Sequence, residues 1–218
     1  GEVTLDATAP RITYEITPEP NQYNWNNTQV TVTFSAADNL SGVVFISDPV
    51  TLTRQGAGQT VRGLARDAAG NEATVTHTVN IDLTSPEITS SQTPEKNQFG
   101  WNNEDVEVTF TGTDELSGIL SVTDPVTKTD QGIHTVQGRA QDNAGNTADL
   151  THEVKIDKTA PVITSLLPEQ GTETDNPAEP VTAEYEDAMS GINVQGIILT
   201  LDTEDVTSLA RITETGLN

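Results

Sequence analysis

Cysteine is absent from this 218-residue chain. No disulfide can staple it, and no thiol chemistry is open to it. Basic residues are scarce: 10 Lys+Arg stand against 33 Asp+Glu, a formal net charge of −23. Phosphate needs Lys and Arg to displace its counterions, so nucleic acid is not a natural partner. Anionic membrane surfaces are disfavoured for the same reason. No apolar run approaches the ~20 residues that span a bilayer, so no direct membrane insertion is expected. No signal-peptide pattern is present. Cations are the natural partners of such a chain. Plain solubility and a high-salt habitat would also account for its acidity.

What is present is repetition. Gln22-Tyr-Asn-Trp-Asn-Asn27 returns as Gln98-Phe-Gly-Trp-Asn-Asn103. Asp38-Asn-Leu-Ser-Gly42 returns as Asp114-Glu-Leu-Ser-Gly118 and again as Asp187-Ala-Met-Ser-Gly191. Asp67-Ala-Ala-Gly-Asn71 returns as Asp142-Asn-Ala-Gly-Asn146, and Ile81-Asp-Leu-Thr-Ser-Pro86 as Ile156-Asp-Lys-Thr-Ala-Pro161. A fixed period of about 75 residues means an array of small units. The spacing predicts a first repeat over 7–82, a second over 83–157 and an incomplete, divergent third over 158–218. Residues 1–6 match the closing strand of the other repeats, and read as the last strand of a missing preceding one. An array repeats a shape, whereas an enzyme needs one site unlike the rest.

The apolar period is two. Val30, Val32 and Phe34 alternate with Thr31, Thr33 and Ser35; Val106, Val108 and Phe110 do the same, as do Val181, Ala183 and Tyr185. That pattern predicts half-buried strands, and turn signals every 8–15 residues predict a sandwich or barrel. In the first repeat, strands are expected at 11–17, 29–37, 59–67 and 73–82, with a hairpin of short strands over 43–54. The second repeats this at 87–93, 105–113, 119–129, 133–142 and 147–157. About seven strands would carry the chain in at one end of a unit and out at the other. Each linker ends in a proline, which fixes φ and keeps the residue before it extended. The joint is therefore short and stiff.

The third repeat has Gly171-Thr-Glu-Thr-Asp-Asn-Pro177 where the others have Trp-Asn-Asn, and a longer hairpin is expected over 197–206, turning at 202–205. It contains no Asp-x-Ala-Gly-Asn loop. Its last two strands are expected to be missing, through truncation or with the gap filled by another copy through strand addition.

The combination Trp-Asn-Asn … Asp-x-x-Ser-Gly … Asp-x-Ala-Gly-Asn … Ile-Asp-x-Thr-x-Pro resembles the tandem Ig-like repeats of bacterial and archaeal surface proteins, in adhesin stalks and in spacer modules of large secreted enzymes. The likeness covers 7–157 well and 158–218 in part. It implies an all-β fold of tandem Ig-like β-sandwiches arranged head to tail, an extracellular, cell-surface or secreted location, and often calcium at loops or joints. The neighbouring repeats of the same chain are then the main partners. A structural or adhesive stalk, or a part of a surface filament or layer, is the expected role. A spacer or carbohydrate-binding module of a secreted multi-domain hydrolase is the alternative.

Calcium takes six to eight oxygens from carboxylates, Asn and carbonyls. The candidate ligands are the joint residues Asp6, Asp82 and Asp157, with Asp67, Asn71, Asp142 and Asn146 from the Ala-Gly-Asn loops. In such loops Asp and Asn also cap turns through their own backbone, and that is the reading given to the Asp-x-x-Ser-Gly loops. Trp25 and Trp101 fit a plug over the end of each core; exposed rings would instead suit a surface glycan. His77, His134 and His152 make no metal triad, and His77 and His152 are expected at the surface. Ser41, Ser117 and Ser190 lie in turns without a partner His. Lys is too scarce and out of register for an isopeptide crosslink. No catalytic constellation is visible, and the chain is read as a non-enzyme.

Overall fold

Alternation builds the strands, and burial follows it. In a computed structural model that describes residues 5–169, 171–172, 180–201 and 203–217, β2 (Val30–Ala37) buries Val30, Val32 and Phe34 while Thr33 and Ser35 stay exposed. It lies between β1 (Arg11–Thr17) and β4 (Val50–Leu52), antiparallel to both. A second sheet holds β3 (Val43–Ile46), β5 (Gly56–Asp67) and β6 (Glu72–Ile81) in the order β3-β5-β6. Val30, Val32 and Phe34 of the first sheet meet Val61, Val79 and Ile81 of the second in one buried cluster. That is an Ig-like two-sheet sandwich.

The short strands differ from the expected hairpin. Among the described residues β3 pairs only with β5, and β4 only with β2. Between them, Ser47 turns back to β5, its amide donating to the Leu64 carbonyl at 2.9 Å, and Pro49 has no N–H to give. The chain therefore changes sheet without reversing direction. Six strands then make five crossings, and the registers place Arg11 and Ile81 at opposite ends of the first repeat. The expected entry at one end and exit at the other is met with fewer strands.

The second repeat reuses the plan: β7 (Glu87–Thr93), β8 (Val106–Thr113) and β10 (Val126–Lys128) form one sheet, and β9 (Ile119–Val122), β11 (Gly132–Asp142) and β12 (Thr147–Ile156) the other. One close fit recurs. A Cβ on Gly63 would fall 2.4 Å from the Phe34 ring, and one on Gly138 2.3 Å from Phe110. Each glycine is a notch for the aromatic opposite it.

The third repeat keeps one sheet, β13 (Val162–Leu167), β14 (Thr182–Glu186) and β17 (Gly216–Leu217). The expected long hairpin shrinks to β15 (Thr200–Leu201) and β16 (Glu204–Asp205); Asp202, and most of the Gly171–Pro177 segment, lie outside the described residues. So do residues 1–4 of the expected leading strand. Tyr185 stands where the earlier repeats have phenylalanine, and its hydroxyl donates to the Thr213 carbonyl at 2.6 Å. Among the described residues this repeat has no second sheet of the β3-β5-β6 kind.

Packing divides the chain into two compact units. One takes in Gly1–Ser91, Thr109–Pro125 and Gln137–His152; the other takes in Gln92–Val108, Val126–Val136 and Glu153–Asn218. The first contains the buried cluster above together with Phe110 and Ala140. The second is built on Val106, Val108, Val136, Val154 and Ile156, with Ala183 and Tyr185 in its last sheet. No described helix is long and apolar enough to cross a membrane.

Candidate functional site

The linker after β6 is held at every turn. The Asp82 amide donates to the Asn26 carbonyl at 2.9 Å. Asn26 is itself buried, and its side-chain amide donates to the carbonyls of Pro18 and Glu19. Asp82 Oδ1 accepts the Thr84 amide, and the Thr84 hydroxyl donates to Gln55 Oε1 at 2.8 Å. Those contacts fix the linker to the repeat it leaves. Two more fix it to the repeat it enters: Ser117 N–H donates to Asp82 Oδ2 at 3.1 Å, and Asn146 Nδ2 donates to the Asp82 carbonyl at 3.0 Å. Asn21 adds a direct bond, its Nδ2 donating to the Asn143 carbonyl at 2.8 Å.

The same clamp closes around the other linker aspartates. At Asp6, the amides of Thr8 and Ser41 donate to the two carboxylate oxygens, and Asn71 Nδ2 donates to the main-chain carbonyl. At Asp157, the amides of Thr159 and Ser190 do so, the Asp157 amide donates to the Asn102 carbonyl, and the Thr159 hydroxyl donates to Gln131 Oε1. Among the described residues no asparagine donates to the Asp157 carbonyl as Asn71 and Asn146 do at the first two clamps.

Three carboxylates converge at each of the first two clamps. Oxygens of Asp6, Asp38 and Asp67 lie within 4.8 Å of one another, and so do those of Asp82, Asp114 and Asp142. Asp67, Asp82 and Asp142 are buried. Two ligands at the usual calcium–oxygen distance of about 2.4 Å are at most about 4.8 Å apart, so each trio fits one shared ion. The donors are hard oxygens, which suits calcium over softer metals. At Asp157 no such trio forms among the described residues, and the Asp187 loop supplies the Ser190 amide.

The predicted residues therefore fall into place unequally. Asp6, Asp67, Asp82 and Asp142 line the trios. Asn71 and Asn146 turn their nitrogens toward them, each donating at 2.8 Å to Oδ2 of the loop aspartate. In this arrangement they brace the carboxylates instead of offering an oxygen. For Asp38 and Asp114 the sequence predicts only turn caps. They do cap, accepting the amides of Leu40 and Gly42 and of Leu116 and Gly118, and they also complete the trios. The signal was available: Asp-x-x-Ser-Gly is the one loop present in all three repeats. The buried Asn26 and Asn102 carried no such signal beyond their place beside the tryptophans.

Electrostatics favour the ionised carboxylates where a direction is resolved. Ser41 and the Thr8 amide hold the Asp6 carboxyl below the usual carboxylate range. Desolvation pushes Asp67 up, but the side-chain and backbone amides of Asn71 outweigh it. Desolvation likewise raises Asp157, and Ser190 and the Thr159 amide bring it below the usual range.

The aromatic and histidine residues read differently from expectation. Trp25 and Trp101 are half-buried, neither sealed plugs nor open platforms. His77 and His152 are half-buried too: His77 lies 4.6 Å from the Tyr14 ring, and His152 Nδ1 is 2.9 Å from the Ser90 hydroxyl. The neighbouring β1 and β7 cover that face of the strand.

No protein-family model matches the chain, and no curated protein does. Among solved structures it is similar to the fibronectin(III)-like modules of Clostridium thermocellum CbhA, at 14% identity and a TM-score of 0.36, over 67% of this chain and 95% of that one.

Proposed function

We propose that this chain is a non-catalytic structural spacer from an extracellular protein, a stalk whose repeats are fixed in series by calcium at their linkers. The observation that supports it most is the repetition of the clamp. The same aspartate, serine, threonine and asparagine contacts recur at Asp6 and at Asp82. A chain selected only for solubility has no need to place buried carboxylates in register at successive joints. A tether meant to swing would be solvated and rich in Gly and Ser, whereas this linker is hydrogen-bonded from both sides.

Three clustered carboxylates repel one another, and a divalent cation turns that repulsion into a bond between linker and loops. Calcium is the fitting ion, with Asp6, Asp38 and Asp67 as one ligand set and Asp82, Asp114 and Asp142 as the other. Extracellular modules hold calcium at about 10⁻⁴–10⁻³ M, a range suited to an environment where the ion is abundant.

The absence of cysteine allows a clean test. Spin labels at Glu15→Cys and Glu107→Cys, both exposed positions, report the distance between the first two repeats. With calcium the distance distribution should be single and narrow, and Asp82→Ala should broaden it. A distribution equally broad in both proteins would rule out a fixed joint.

A further inference from the structure

Each tryptophan is half-buried, but the aromatic two residues before it stands in solvent. Tyr23 is 42% exposed and Phe99 is 55% exposed. Both sit on the same turn. The Asn24 amide donates to the Asn21 carbonyl at 2.9 Å, and the Gly100 amide donates to the Asn97 carbonyl at 2.9 Å. Gln22 and Tyr23 are thus the central pair of one turn, and Gln98 and Phe99 of the other. The residue after each ring has a positive φ, 62° at Asn24 and 85° at Gly100. Asn21 Oδ1 braces its turn by accepting the amides of Tyr23 and Trp25, and Asn97 Oδ1 does the same for Phe99 and Trp101. A single exposed ring needs no explanation. Here two repeats keep an exposed ring on a braced turn, although the ring and the residue after it differ between them.

A cleft opens beside each ring. The first, of about 460 Å³, is lined by Asn21, Gln22, Tyr23, Leu120, Gln141 and Asn143 among others. The second, of about 220 Å³, is lined by Asn97, Phe99, Trp101, Gly191, Ile192 and Asn193 among others. Neither lining contains a charged side chain, although 20% of the chain is charged and its net charge is −23. Carboxamides stand where charges would be expected. Asn21 joins the two walls of the first cleft, its Nδ2 donating to the Asn143 carbonyl. The side chains of Gln22 and Gln141 have no partner among the described residues, so both are free to meet a ligand.

We propose that Tyr23 and Phe99 are stacking platforms for a neutral oligosaccharide, one subsite at each of the first two repeats. The C–H face of a pyranose packs on an aromatic ring. A carboxamide offers two donors and an acceptor, which complement neighbouring sugar hydroxyls. In the first cleft the ring gives the apolar contact, and Gln22 and Gln141 give the few polar contacts that fix orientation. An acidic sugar would find no Lys or Arg in either lining and would meet the field of an acidic chain. A proline-rich peptide docks in an aromatic-lined groove, whereas the first cleft offers one ring. This adds a binding role to the spacer role and does not rest on calcium.

The test is an NMR titration of the full chain. It is run in calcium, so that a loosened joint is not the cause of a negative result. The probes are cellohexaose, chitohexaose and mannohexaose, which differ in the orientation or substitution of their hydroxyls. Hexagalacturonate and a proline-rich peptide are the comparisons. At least one neutral probe should saturably shift the ring signals of Tyr23 and Phe99 and the side-chain amides of Gln22 and Gln141. Tyr23→Ala should weaken binding at the first cleft about tenfold or more and leave the second unchanged, and Phe99→Ala should do the reverse. Gln141→Ala checks the first cleft from its opposite wall. Because Tyr23 and Phe99 are exposed, neither ring variant should lower the thermal midpoint. No shift at either ring with all three neutral probes at millimolar concentration would overturn the proposal. So would binding that survives both ring variants, or equal binding of the galacturonate or the peptide.

Discussion

Single residues decide how tightly each sandwich closes. Gly138 faces the Phe110 ring with no room for a methyl group, so Gly138→Ala must shift a buried aromatic. A loss of about 1–3 kcal/mol in urea unfolding is expected, the usual cost of overpacking, and Gly63→Ala against Phe34 should behave alike. Asn102 is 6% exposed, and its amide bonds the carbonyls of Pro94 and Glu95. Asn102→Ala strands those acceptors, and about 1–3 kcal/mol should be lost in the same assay. The alternation of Val and Thr gave away which residues point inward. It could not reveal that one glycine in each of the first two repeats is a notch, since that depends on an aromatic across the sheet. Nor could it mark Asn26 and Asn102 as buried, because an asparagine beside a tryptophan looks like any turn residue until its carbonyl partners are located.

Elements carry the next level. Strand positions were legible because half-burial leaves a period of two, and β1 and β7 match expectation residue for residue. The β3–β4 segment was not. Two short apolar runs split by Ser47-Asp48-Pro49 look like a hairpin, and only their partners β5 and β2 show the change of sheet. Loops are legible as repeats but only partly as sites: their pattern marks the linker and Ala-Gly-Asn aspartates, whereas Asp38 and Asp114 look like caps alone. A carboxylate that caps its own turn can also face a neighbouring loop, so sequence cannot separate the two roles.

The clamps also set a pH dependence. Asp6, Asp67 and Asp157 have folded-state values below their ordinary ones. The folded state then binds fewer protons, so the contribution is complete above the unfolded value near 3.9 and is lost as pH falls through the lowered folded values. In chelator, the thermal midpoint should be flat from about pH 7 to 5 and should drop below about pH 4. Asn71→Ala should shrink that drop, because it removes the donor that lowers Asp67. A midpoint that falls instead between pH 7 and 5 would assign the transition to other groups.

At the scale of the whole molecule, the account is one of small units that depend on their joints. Each repeat of about 75 residues has a modest core and no disulfide, so stability shared with a neighbour matters, as in other repeat arrays. The surface ion pairs contribute little. Arg66–Glu72 and Arg139–Asp149 are both solvent-exposed, and such pairs are worth about 0–1 kcal/mol. A calcium ion at about 20 times its dissociation constant would add about 1.8 kcal/mol per site. That is a large share of the stability of a small domain, and near 1 kcal/mol shifts a unit of this size by about 4–8 °C.

The most direct measurement is therefore a thermal melt of the full chain in calcium and in chelator, both at the same high sodium chloride concentration. The account predicts a calcium-specific rise of several degrees, lost in the double variant Asp82→Ala, Asp114→Ala except for what the Asp6 trio retains. If sodium chloride alone raises the midpoint as much as calcium does, the acidic surface is only being screened, and the claim that calcium fixes the joints is contradicted.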